Sequence, residues 1–175
     1  MIKRNRTVMV VAAGLVAIAA RAQQPAGDRT QLADAAVRGW FPTLAKRTPL
    51  VSRPEVEAVR DSGGGLLGWV FLTDQLEPVV RGKRGEIGVW VALGRDGKIR
   101  GIQVGRHRED KKWFDRIRAP FYRAFEGKPA DGGGGRPDAV TTATISSRAM
   151  VDDVFGACRT VLALPEVRKE RGAAS

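Results

Sequence analysis

The stretch Glu86-Ile87-Gly88-Val89-Trp90-Val91-Ala92-Leu93-Gly94-Arg95-Asp96-Gly97-Lys98-Ile99-Arg100-Gly101-Ile102-Gln103-Val104 reads as a β-hairpin. From Glu86 to Leu93, the residues Ile87, Val89 and Val91 alternate onto one face. Arg95-Asp96-Gly97-Lys98 then supplies a tight Asp-Gly turn, and Ile99, Ile102 and Val104 carry the chain back. The hairpin delivers Arg106, His107, Arg108 and Glu109 just past the end of its second strand.

Upstream, Leu66 to Thr73 is strongly apolar, with Trp69, Val70 and Phe71, and suits a sheet strand. Glu55 to Arg60 precedes it as a strand entering a turn at Asp61 to Gly65, so the two form a first hairpin. Asp74 to Arg84 is polar, basic and interrupted by Pro78, and reads as a loop. Nearer the N-terminus, Asp28 can cap a helix running to about Lys46, with Leu32, Ala35, Ala36, Trp40, Phe41 and Leu44 on its apolar face; Pro49 and Pro54 end that element. Downstream, Trp113, Phe114, Ile117, Phe121 and Phe125 recur at helical spacing, and Pro120 must kink or split that helix. Lys128 to Pro137 is a Gly-rich loop with no core residues of its own. A last helix from about Ser146 to Leu164 carries Met150, Val154, Ala157 or Cys158, and Val161 on one stripe, and the charged tail from Pro165 to Ser175 is expected to fray. The pattern predicts an α+β domain: an antiparallel sheet built from hairpins, with helices packed on it.

The 175 residues suffice for one well-packed domain. Residues 1–22 have the parts of a cleavable secretory signal: Lys3, Arg4 and Arg6, an apolar run from Val8 to Ala20, and small residues at Ala20 and Ala22. The run is shorter than the ~20 residues that span a bilayer as a helix. The expectation is a single domain over 23–175, in the periplasm or otherwise outside the cytoplasm. The export segment holds four of the cationic residues behind the net charge of +11, which leaves +7 on the mature chain. Those charges are scattered rather than gathered into a stripe with stacking aromatics, and the protein is exported, so no nucleic-acid partner is expected. Cys158 is the only cysteine and His107 the only histidine. Counting alone excludes an internal disulfide, an iron–sulfur cluster, a multi-histidine metal site and a bis-histidine haem.

The segment Asp138-Ala139-Val140-Thr141-Thr142-Ala143-Thr144-Ile145-Ser146-Ser147-Arg148-Ala149-Met150 offers hydroxyls at the start of a helix. By themselves these residues read as caps and turn formers. The free N–H groups of such a helix start, backed by its dipole, also make a ready phosphate site.

Asp138-Ala139-Val140-Thr141-Thr142-Ala143-Thr144 resembles the flavinylation signature of the FMN-binding domain family, usually Asp, two variable residues, Ser or Thr, Gly, Ala and Thr. That family includes subunits of the sodium-pumping NADH:quinone reductase and Rnf complexes and the NosR/NirI-type regulators. Gly68-Trp69-Val70-Phe71, Asp74, Pro78, Val89 to Leu93, Asp96-Gly97-Lys98-Ile99 and His107-Arg108-Glu109 are similar in order and spacing to the NosR/NirI flavin domain, so the resemblance covers about residues 66–164. It implies that FMN is attached covalently, by a separate flavin transferase, as a phosphoester on Thr144. It also implies electron relay with a membrane or periplasmic redox partner. Asp138, Thr141, Thr142, Ala143, Ser146 and Arg148 would then surround the attachment point, with His107 and Glu109 near the flavin ring. Trp69, Trp90, Trp113 and Phe114 could stack on that ring or serve as core. Thr142 stands where the family has Gly, a position that can require positive φ. No substrate-specific catalytic set is apparent, which points to an electron carrier. The alternative is a sensory or interaction module on the same fold without attached flavin.

Overall fold

The computed structural model describes residues 32–76, 79–117 and 119–172. The export segment, the cap at Asp28 and the Pro78 interruption lie outside the described residues. The chain runs α1 (Asp34–Trp40), β1 (Lys46–Pro49), β2 (Val56–Arg60), β3 (Leu66–Leu72), a 3-10 turn (Thr73–Gln75), β4 (Ile87–Gly94), β5 (Ile99–His107), α2 (Lys111–Phe114), α3 (Ala119–Arg123), α4 (Thr144–Ala163) and α5 (Pro165–Gly172). The five strands form an antiparallel sheet in the order β1-β2-β3-β4-β5, so the α+β expectation holds.

The opening hairpin is β4 and β5, with Val91 opposite Ile102 and Leu93 opposite Ile99. Every residue of β4 is buried, because helices cover the sheet on both faces. Val89, Val91 and Leu93 join Val56, Trp69, Phe71, Phe125, Met150, Phe155 and Cys158 on the side of α4. Trp90 and Ala92 face the other way, against Val37, Phe41, Leu44 and Leu72 beneath α1. Each fully buried large side chain contributes about 1.5–3 kcal/mol of transfer free energy. A strand sandwiched in this way reads as a continuous apolar run. At Gly101 the indole of Trp40 lies on the strand so closely that a Cβ would come within 2.1 Å of Nε1.

The structure corrects several expectations. The first helix stops at Trp40, because Pro42 pushes Phe41 out of the helical region, to φ −130° and ψ 81°. The chain after it forms the edge strand β1, paired with β2 from Lys46 opposite Arg60 to Pro49 opposite Glu57. One expectation there holds: the helical stretch from Trp113 to Phe125 is split into α2 and α3, with Pro120 in the first turn of α3 and residues 115–117 in turns and a bend after α2. The loop after Lys128 does contribute to the core. Ile99 N–H donates to Lys128 O at 2.9 Å and Ala130 N–H to Gly97 O at 2.9 Å, which buries Ala130. Instead of fraying, the tail forms α5, held by buried Val167 and by Glu170, whose carboxylate pairs with Arg60 at 2.7 Å.

Candidate functional site

Helix α4 begins at Thr144, with Ala143 at its N-cap, and no side chain caps it. The hydroxyls expected to serve as caps are engaged in the preceding turn instead. Ser147 Oγ accepts from Val140 N–H at 2.9 Å and donates to Ala143 O at 2.9 Å, and Thr144 Oγ1 donates to Val140 O at 3.3 Å. That last distance is longer than a good O–H···O bond, so the Thr144 hydroxyl is only loosely held. The first-turn amides of a helix have no intrahelical acceptor. Here they open onto a cavity of about 400 Å³ lined by Lys83, Arg84, Glu109, Asp110, Trp113 and residues 142–146.

Three separate stretches make its walls. Glu109, just past β5, is the tie between them: its carboxylate accepts from Ser146 Oγ at 2.5 Å and from Arg84 N–H at 2.7 Å. It therefore fastens the start of α4 to the turn of residues 82–85, which Gly82 N–H closes by donating to Gly85 O at 2.7 Å. A Cβ at Gly82 would meet Glu109 Oε1 at 2.8 Å, so glycine is needed for that close approach. Asp110 caps α2 by accepting from Lys112 N–H at 3.0 Å and pairs with Arg84 at 3.3 Å. Trp113 is 41% exposed and Ile145 59%, so two large apolar side chains stand open at this site.

Thr142, Ala143, Thr144, Ser146 and Glu109 thus meet at one cavity. Asp138, Thr141 and Arg148 are exposed and do not line it. His107 stacks on Phe114, with ring centroids 3.9 Å apart, and lines two neighbouring depressions instead. Trp69 and Trp90 are buried in the two cores and lie away from the site. Lys83 and Arg84 were not foreseen in the sequence; the Gly-Lys-Arg-Gly turn before β4 was the available signal.

Behind the site, Asp153 of α4 accepts from Val80 N–H at 3.3 Å and anchors the other end of the 79–86 segment. Burial pushes its carboxyl up to about 6; hydrogen bonds from Thr73 and Val80 oppose the rise, and neighbouring Asp74 adds to it. Asp74, with its side chain 1% exposed, pairs with Arg106 at 2.5 Å. One oxygen of each carboxylate, Oδ1 of Asp74 and Oδ2 of Asp153, is buried without a hydrogen-bond partner. Burial also raises the Cys158 thiol far above its ordinary range, which makes it a packing residue. Among the described residues there is no cluster of three or more His, Cys, Asp or Glu that could hold a metal ion, and no helix is long and apolar enough to cross a membrane.

No curated protein matches the chain. Residues 82–157 match the family described as the FMN-binding domain. The match runs from the Gly82 turn to the middle of α4 and contains every residue that lines the cavity. The residues present fit the phosphate of that cofactor, since an uncapped helix start faces a cavity flanked by Lys83 and Arg84. By this match residues 82–157 are similar to the FMN-binding domain, which supports flavin binding by this part of the chain.

Proposed function

We propose that the protein is an exported flavoprotein that carries FMN covalently on Thr144 and relays electrons in a membrane-associated redox chain. One observation carries the proposal: the first residue of a 20-residue helix is a threonine with a loosely held hydroxyl, and that uncapped helix start opens on the 400 Å³ cavity. The ester would form between Thr144 Oγ1 and the phosphorus of an FMN unit that a separate flavin transferase takes from a flavin dinucleotide: the donor's phosphoanhydride P–O bond breaks, the nucleoside monophosphate leaves, the Thr144 hydroxyl gives up its proton, and the chain gains the mass of FMN less one water. The first-turn amides of α4 would receive the phosphate oxygens, and the helix dipole with Lys83 and Arg84 would offset their charge. Trp113 and Ile145 present apolar surface suited to an aromatic ring. Glu109 holds the two walls together by accepting from Ser146 Oγ and from Arg84 N–H. When bound, FMN supplies the redox chemistry, while the chain sets its position, exposure and surrounding charge.

Coexpression with a flavin transferase, followed by intact-mass measurement and in-gel fluorescence, tests the assignment. The wild-type chain should gain one FMN less water and Thr144→Ala should gain nothing. Retention of the adduct in Thr144→Ala, or its absence from wild type, refutes attachment at this residue.

A further inference from the structure

Thr142 is the one non-glycine residue with positive φ among the described residues, at 73°. Its place explains why. Ala143 N–H donates to Val140 O at 3.0 Å, which closes a four-residue turn over 140–143 with Thr142 third. Thr141 does not share the positive φ, so the turn is of type II, whose third position favours glycine. A β-branched residue there is strained, and the very next turn of chain presents Thr144. Something must hold Thr142 in place, and one contact reaches it from the turn that follows α2. Arg116 Nη1 donates to Thr142 Oγ1 at 3.1 Å. Arg116 is itself steadied, with its guanidinium 4.7 Å from the Trp113 ring centroid and its amide donating to Trp113 O at 3.2 Å. Asp110 in turn fixes the start of that short helix.

We propose that Arg116 is a positioning residue: by binding the Thr142 hydroxyl it holds the type II turn that glycine would adopt unaided, and so directs Thr144 Oγ1 toward the cavity. The inference rests on the reading of Thr144 as the attachment residue. It makes the threonine at 142 a residue with its own clamp, so the departure from the family's glycine is compatible with flavin attachment. Neither Thr142 alone nor Arg116 alone expresses that compensation, and a two-residue cycle isolates it.

The test compares wild type, Arg116→Ala, Thr142→Gly and the double variant, each coexpressed with a flavin transferase and followed by intact mass over time. Arg116 is exposed, so Arg116→Ala should keep the fold, which a thermal melt checks. Arg116→Ala should slow FMN incorporation about tenfold, the order expected when a strained turn loses its restraint. Thr142→Gly should match or exceed wild type. The double variant should return to the Thr142→Gly level, because glycine needs no clamp. A double variant as slow as Arg116→Ala would show that Arg116 acts on the flavin directly, and an Arg116→Ala rate equal to wild type would show that the contact positions nothing; either overturns the inference. If wild type gains no mass yet binds free FMN, the attachment reading has failed on its own. The same cycle is then read on the dissociation constant for FMN, where the same rescue pattern is required and its absence is fatal.

Discussion

Replacing Glu109 by alanine removes the one side chain that joins both walls of the cavity, and the cost can be worked from its contacts. Glu109 is 9% exposed and accepts two hydrogen bonds, from Ser146 Oγ at 2.5 Å and Arg84 N–H at 2.7 Å. A bond to a charged group is worth about 1.5–3 kcal/mol, and the two share one carboxylate, so the sum is less than additive. A loss of about 3 kcal/mol is expected for Glu109→Ala. With a urea dependence of about 2 kcal/mol/M, that moves the unfolding midpoint down by about 1.5 M. Glu109→Gln keeps the volume and the acceptor for Arg84 N–H, and its amide can donate to Ser146 Oγ in reverse, so about 1 kcal/mol should suffice. Ser146→Ala deletes one of the two bonds and should fall between, at about 1–2 kcal/mol. Urea titrations of the three variants by circular dichroism, with flavin absent, measure these values. A Glu109→Ala loss below about 1 kcal/mol, or a Glu109→Gln loss equal to it, would refute the role of the carboxylate as a two-sided tie. The same variants should weaken FMN binding in the same order, because the Arg84 turn and the start of α4 are both walls of the cavity.

Asp153 makes stability depend on pH. Its folded value of about 6 lies above the ordinary 3.8, so the folded state holds the proton more tightly and stability falls as pH rises between those values, by about 3 kcal/mol in all. Asp153→Asn cannot ionise and should be more stable than wild type at pH 8 but not at pH 4; an equal difference at both pH values would refute the burial argument. Gly101→Ala places a Cβ within 2.1 Å of Trp40 Nε1 and should destabilise the α1 side of the sheet by about 1–3 kcal/mol, visible as a lower melting temperature without loss of FMN binding.

The sequence made some parts legible and left others silent, for physical reasons that differ from part to part. The β4–β5 hairpin was readable because Asp96-Gly97 needs positive φ, which Gly97 adopts at 81°, between two runs of apolar alternation. Helix α4 was readable because one long stripe of its residues is buried. Strand β1 was silent, since Lys46-Arg47-Thr48-Pro49 shows a mostly exposed edge and pairs through its backbone. Helix α5 carries a single buried apolar residue, Val167, and is held by ion pairing that no periodicity reveals. The site divides in the same way. Thr144 and its neighbours were visible because they are contiguous. Arg84 was not, because the bond that fixes its turn comes from its backbone N–H to a carboxylate 25 residues away.

Two local rules are broken in this chain, and they are broken within two residues of each other. A 20-residue helix starts without a side-chain cap, although Thr144, Ser146 and Ser147 all carry hydroxyls within its first turn. A β-branched residue occupies the left-handed region at Thr142. Each departure costs stability of the order of 1 kcal/mol or more if nothing is gained in return. The uncapped start leaves the first backbone donors of α4 without a side-chain acceptor beside the cavity. Side chains hold that opening: Glu109 ties the start of α4 to the turn of residues 82–85 and Arg116 binds the turn of residues 140–143, neither through the sheet ladder. Because these ties are side-chain bonds outside the sheet, the site can be loosened or tightened by single substitutions while β4 and its two cores stay intact. Changes at 116 and 142 should therefore alter flavin loading at a fixed fold, whereas changes at 109 or on β4 should alter stability and loading together.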